Sequence, residues 1–158
     1  MLNSAAPRNK TEHEEQQKLM LIIRNHISKD YPDLEWIHSV PNGLFLRGNT
    51  LTTFINEGGG SGVSDLMWDL NNGTYSGLRI EMKRPDGKGK LSEKQKLYKA
   101  FVERNNFKFV TKITAISALQ EIIDYASLSQ DIVKFWEPWF AKYSHTELLG
   151  LSQKGVIK

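Results

Sequence analysis

The sequence predicts an α/β layer fold, and three observations carry that expectation. Apolar residues recur at helical spacing in Leu19, Ile22, Ile23 and Ile27, and again in Ile116, Leu119, Ile122 and Ile123. Between these stretches, Leu78-Arg79-Ile80-Glu81-Met82-Lys83 alternates apolar and charged residues with the two-residue period of a half-buried strand. The turn signals Pro41-Asn42-Gly43 and Asn71-Asn72-Gly73 divide the intervening chain into strand-length pieces. Helices before and after a run of strands bury their apolar stripes on a sheet.

A chain of 158 residues is long enough for one sizeable core. We divide it into a polar tail over 1–11, a main domain over 12–126 and an aromatic extension over 127–158. With 39% hydrophobic and 25% charged residues the composition is that of an ordinary globular protein. The absence of cysteine excludes disulfides and thiolate metal centres. The first residues are too polar for a signal peptide, and the apolar run Leu19 to Ile23 is too short to span a membrane. The expectation is therefore a cytoplasmic protein with no membrane contact.

Element by element, Glu12 to about Lys29 reads as a helix with Thr11 as its N-cap, stopped by Tyr31-Pro32-Asp33. Residues 34–40 read as a strand, and Leu44-Phe45-Leu46 either continues the sheet or begins a connection. Residues 51–62 carry no decisive pattern. Their glycines, Gly58, Gly59, Gly60 and Gly62, are not followed by Gly-Lys-Ser/Thr and lack dinucleotide spacing, so they serve a tight turn or a close approach to a ligand. Residues 65–70 and 76–84 form a hairpin around Asn71-Asn72-Gly73, with Asp69 at the strand end. After a loop over 85–90, Ser92 caps a helix running to about Asn105, a strand covers 107–111 and a helix covers 115–125. The remaining residues, with Phe-Trp-Glu-Pro-Trp-Phe at their centre, are interrupted by Pro138. They cap the core, extend a dimer interface or stack on bases, with packing the favoured use.

The charge is unevenly spread. Net charge is +3 and the isoelectric point about 9.0, yet Lys83, Arg84, Lys88, Lys90, Lys94, Lys96 and Lys99 face only Asp86 and Glu93. Such an excess suits an anionic polymer such as nucleic acid, with a solvated loop and helix face as the plain alternative. On the predicted strand Glu81 and Lys83 share one face, about 7 Å apart, and Asp65 immediately precedes the apolar run Leu66-Met67-Trp68.

Phosphodiester hydrolysis needs a hard divalent cation, a positioned water and positive charge against the developing negative charge. Asp65 and Glu81 offer the carboxylates, Met82 its backbone carbonyl, and Lys83 a group to hold or polarise the water. A bare Glu-x-Lys would otherwise be an exposed ion pair, contributing under about 1 kcal/mol. Competing chemistries find no support. His13, His26, His38 and His145 lack zinc spacing, Arg24-Asn25-His26 sits mid-helix, and there is no nucleophile elbow.

Five pieces in order resemble the virus-type replication-repair nuclease group, the VRR-NUC domain of the PD-(D/E)xK superfamily. They are Glu12-His13-Glu14-Glu15-Gln16, Pro41-Asn42-Gly43, Gly62-Val63-Ser64-Asp65-Leu66, Gly77-Leu78-Arg79-Ile80-Glu81-Met82-Lys83 and Leu91-Ser92-Glu93-Lys94-Gln95. Ser64 stands where the group's pattern has proline, and the resemblance covers roughly 12–125. It implies a restriction-endonuclease-like core, a central mixed sheet flanked by helices. It implies Mg²⁺, with Mn²⁺ as substitute, on Asp65, Glu81, the Met82 carbonyl and Glu12, with Glu15 the competing helical acid. Lys83 would assist the water and Gln95 would orient the site, while Gln16, Arg84, Lys88, Lys90 and Lys94 would bind DNA. It further implies a homodimer acting on branched DNA such as four-way junctions, without a small-molecule cofactor, in a phage or bacterial cell interior. The rival reading is a nucleic-acid-binding module that kept the fold and lost catalysis.

Overall fold

Helix α1, Lys10–Asn25, drives Leu19, Ile22 and Ile23 into full burial, as their spacing predicts. The computed structural model describes residues 10–40, 48–84, 86 and 88–157; the Pro41-Asn42-Gly43 turn and Leu44-Phe45-Leu46 lie outside the described residues. Helix α1 already includes Thr11, so that residue is no N-cap, and it ends at Asn25 rather than near Lys29. His26, at φ −129° and ψ −65°, leaves helical geometry, and Ile27–Lys29 follows as a single 3-10 turn.

By their internal contacts the described residues fall into two compact units. One comprises the described residues within Met1–Glu35, Met82–Gly89 and Lys112–Lys158, the other those within Trp36–Glu81 and Lys90–Thr111. In the first unit, helix α4, Ala115–Tyr125, starts from a capping box in which the Thr114 hydroxyl accepts the Ser117 N–H at 3.2 Å. Its apolar face buries Ala115, Ala118, Leu119, Ile122 and Ile123 completely. Each Leu or Ile there stabilises the unit by about 1.5–3 kcal/mol. Helix α5, Asp131–Lys142, packs on α4, and helix α6, His145–Gln153, packs on α1.

Pro138 does not interrupt α5; the helix runs through it. A proline in a helix interior is unfavourable by about 3 kcal/mol. The face that α5 buries, Val133, Trp136 and Phe140, offsets it, since each such side chain contributes about 1.5–3 kcal/mol.

The expected strand over 34–40 shrinks to β1, His38–Ser39, because Pro32–Trp36 forms a 3-10 turn. Pro32 presets the φ of that turn. The buried pair Leu34 and Ile37 follows a three-residue repeat, which an extended strand does not satisfy. The undecided stretch contains helix α2, Asn49–Asn56. Strands β2, Leu66–Trp68, β3, Gly77–Met82, and β4, Phe107–Lys112, complete a sheet of order β1-β2-β3-β4.

The first two pairings are antiparallel. Beside β4 the bonds Ser76 N–H to Asn106 C=O and Lys83 N–H to Lys112 C=O, each 2.8 Å, ascend together along both chains, so β3 and β4 are parallel. Helix α3, Glu93–Arg104, makes the crossover that this requires. The sheet is therefore mixed, as expected. The β2–β3 connection is wider than a two-residue hairpin. It is held by the Asn71 carboxamide oxygen accepting the Gly73 N–H at 2.8 Å, and by that of Asn72 accepting the N–H groups of Thr74 and Tyr75 at 3.0 and 2.8 Å.

His26 carries a prediction for stability. Its Nε2 lies 3.0 Å from the Ser152 Oγ, its ring packs 5.1 Å from Trp136, and burial, then the Lys29 charge, lower its pKa below 6.5. The unfolded chain takes up this proton first as pH falls, so stability is complete above about 6.5 and declines through the interval below it. Urea midpoints at pH 7.5 and 5.5 will differ for the wild type, and His26→Gln will shrink the difference.

Candidate functional site

Strand β3 departs from the half-buried pattern its alternation suggests, because all six of its residues are buried. Leu78, Ile80 and Met82 face the core as predicted. The charged face is covered as well. The Arg79 guanidinium lies 4.2 Å from the centre of the Phe107 ring, bonds the Leu78 carbonyl at 3.0 Å and pairs with Asp69 at 2.8 Å. Gly77 permits this closeness: a Cβ there would stand 2.7 Å from the Trp68 carbonyl oxygen and 2.9 Å from the Phe107 ring. The burial of Arg79 is not legible in the sequence, since its place in an alternating strand signals only a solvated charge.

Glu81 is 2% exposed, so its carboxyl is almost entirely withdrawn from water. A buried carboxylate persists only with compensating donors or cations. Gln95 supplies one donor: its Nε2 bonds Glu81 Oε1, while its own Oε1 accepts the Ser92 N–H at 2.9 Å. Gln95 is thus the third residue of the capping box of α3, with the Ser92 hydroxyl accepting the Gln95 N–H at 3.2 Å.

Asp65 is half-buried, one step before β2. Register pairs Leu66 with Ile80 and Met67 with Arg79, and carried one position further it sets Asp65 level with Glu81. Directly opposed residues on antiparallel strands hold their Cβ atoms about 4.5–5.5 Å apart. The backbone around Asp65 is braced on both sides. Its carbonyl accepts the Val40 N–H at 3.1 Å, and the fully buried Ser64 hydroxyl donates to the Leu66 carbonyl at 3.3 Å. That second bond ties the bend with a side chain where the resembled pattern uses the ring of proline. The glycine run leads into this bend. Gly62 has φ +95°, and a Cβ on it would meet the Lys94 Cβ at 2.7 Å. The close approach is to α3.

In the other unit, Met82 ends β3 and Lys83 follows it, partly buried, with its N–H on the Lys112 carbonyl. Glu12 and Gln16 lie on α1, both partly buried. The competition between Glu12 and Glu15 acquires a physical basis here. Glu15 is engaged at both oxygens, by the Lys18 ammonium at 2.7 Å and by the Ala115 N–H at 2.6 Å, where it caps α4. Arg84 lies 3.8 Å from Asp86, Lys88 and Lys90 are exposed, and Lys94 reaches the Ser61 hydroxyl at 3.3 Å.

Two carboxylates and a strand carbonyl are hard oxygen donors, which fit Mg²⁺ or Mn²⁺ and leave positions for water. Among the described residues no three His, Asp or Glu side chains converge as a metal centre. A cation on Asp65 and Glu81 would therefore draw its further ligands from the backbone and solvent.

No family model matches the sequence, and no curated protein matches it. A solved structure of a VRR-NUC domain protein does match, with a TM-score of 0.60 and 27% identity, over 75% of this chain and 90% of that one. The chain has a VRR-NUC-like, restriction-endonuclease-like fold.

Proposed function

We propose that this chain, with its VRR-NUC-like fold, is a metal-dependent endonuclease hydrolysing phosphodiester bonds in DNA. The observation that carries the reading is Asp65 brought level with a buried Glu81 at the ends of paired strands, with Lys83 two residues further on. Asp65, Glu81 and the Met82 carbonyl would hold Mg²⁺ or Mn²⁺, with Glu12 contributing through water. When bound, the ion supplies Lewis acidity and lowers the pKa of water.

The remaining work falls to the chain's own groups. Lys83 holds the attacking water and offsets charge that develops on the phosphate. Gln95 keeps the Glu81 carboxylate in one orientation. Gln16, Arg84, Lys88, Lys90 and Lys94 hold the DNA backbone, contacts that position the duplex without reading its sequence. The protein works in a phage or bacterial cell interior; no described helix is long and apolar enough to cross a membrane.

The substrate we propose is branched DNA of the four-way junction type, cut by a homodimer carrying one site per copy. On α3, Leu97 is 72% and Phe101 50% exposed, four residues apart on one face. Paired antiparallel across a two-fold axis, this face would set Glu93 against Arg104 of the second copy, twice. Leu97→Asp with Phe101→Asp will convert a sedimenting dimer to monomer; a wild-type monomer at micromolar concentration would remove the paired-cut scheme.

Catalysis is tested by incubating labelled junction, flap, single-stranded and linear duplex DNA with Mg²⁺ or Mn²⁺ and wild type, Glu81→Ala or Lys83→Ala. Metal-dependent cutting lost in both variants is the expected result. Tight binding without cutting would instead identify a nucleic-acid-binding module that lost catalysis.

A further inference from the structure

We infer that the backbone N–H of Ser92, acting through Gln95, is the positioning group for the Glu81 carboxylate, so that the cap of α3 and the acid of the site form one unit. A carboxamide looks nearly the same with its oxygen and nitrogen exchanged, and its neighbours decide which is which. Here the decision is unambiguous. The Ser92 N–H can only donate, so Gln95 presents Oε1 to it at 2.9 Å. The other end of the same amide must then be NH₂, and it faces Glu81 Oε1, which accepts. Without the Ser92 N–H the amide keeps its bond to Glu81 but loses the second anchor that fixes its plane and place.

The backbone supports the amide from its other end. The Ser92 hydroxyl accepts the Gln95 N–H at 3.2 Å, which fixes the first turn of α3. Gly62, packed against Lys94 with φ +95°, leaves this turn no room to shift toward the glycine loop. Ser92 touches neither substrate nor cation in this scheme. It acts through Gln95, the direct partner of Glu81; losing a direct partner costs about 10–100-fold in metal affinity, which bounds from above the effect of losing the anchor behind it.

Ser92 has φ −67°, the value a proline ring imposes, so Ser92→Pro removes the N–H without forcing the backbone. Ser92→Ala removes only the hydroxyl and serves as the control. The consequence for metal rests on the nuclease reading above, whereas the amide arrangement does not, and two readouts separate them. Mn²⁺ titration of the full chain, followed by electron paramagnetic resonance, is expected to show affinity within about twofold of wild type for Ser92→Ala, and weaker by about 10-fold for Ser92→Pro, the lower end of the range for a direct partner.

Nuclear magnetic resonance of the Gln95 side-chain amide is expected to show slow solvent exchange in wild type and Ser92→Ala and fast exchange in Ser92→Pro. Equal Mn²⁺ affinity in the two Ser92 variants would overturn the inference. A wild type that binds no Mn²⁺ but keeps a protected Gln95 amide would overturn the metal reading and leave the positioning intact. Should Ser92→Pro fail to fold, the wild-type amide decides alone: fast exchange there would overturn the arrangement.

Discussion

Glu81→Gln will lower metal-dependent cleavage by about 10²–10³-fold, a loss of the size seen when one preorganised charge-stabilising group is removed. The substitution keeps the shape of the side chain and an oxygen that can still accept from Gln95, so the fold stays intact. It removes a negative charge from a position 2% exposed, where a charge is tolerated only with compensation. The melting temperature without metal will therefore match or exceed that of wild type. Mg²⁺ will raise the wild-type midpoint through preferential binding to the folded state, and will not raise that of the variant. Asp65→Asn will behave alike if the two acids act as one site. A Glu81→Gln protein that still cuts at the wild-type rate would remove Glu81 from the mechanism.

The second large effect separates the two acids of α1. Glu15→Ala will destabilise the fold by about 3 kcal/mol, because it leaves the mostly buried Lys18 ammonium without its carboxylate and removes a cap from the N-terminus of α4. Glu12→Ala will leave stability within about 0.5 kcal/mol, as expected for a substitution that breaks no buried partnership, and will lower cleavage. Urea midpoints and cleavage rates on the same two preparations decide it. A stable Glu15→Ala protein with lost activity, beside an active Glu12→Ala, would exchange their roles.

These two acids show how far the sequence could be read. Glu12 and Glu15 lie within one turn of each other, and only the packing of α1 on α4 distinguishes a capping carboxylate from a free helical face. Local signals that complete themselves within a few residues were legible. Ser92 and Gln95 form the capping box their spacing announces, and Ala115–Tyr125 follows its apolar period residue for residue. The register that, carried one position further, sets Asp65 level with Glu81 was legible for the same reason, since both flank one antiparallel connection.

What escaped depends on partners distant in the chain. Burial of the charged face of β3 comes from Phe107 and Gln95. The 3-10 turn over Pro32–Trp36 follows from the burial of Leu34 and of Ile37, three residues apart. Helix α5 survives Pro138 because Trp136 and Phe140 are buried by α5's packing within its own unit, which no count of local propensities contains.

In the proposed mechanism a divalent ion on Asp65 and Glu81, with Lys83 beside them in sequence, makes this chain cut DNA. The most direct measurement is metal add-back on a chelator-treated preparation, following a labelled four-way junction and a linear duplex over time. The expected result is no cutting after chelation, full recovery on Mg²⁺ or Mn²⁺ addition, and no recovery for Lys83→Ala at equal protein concentration. Cutting that persists in chelator, or that Lys83→Ala retains at the wild-type rate, would contradict it.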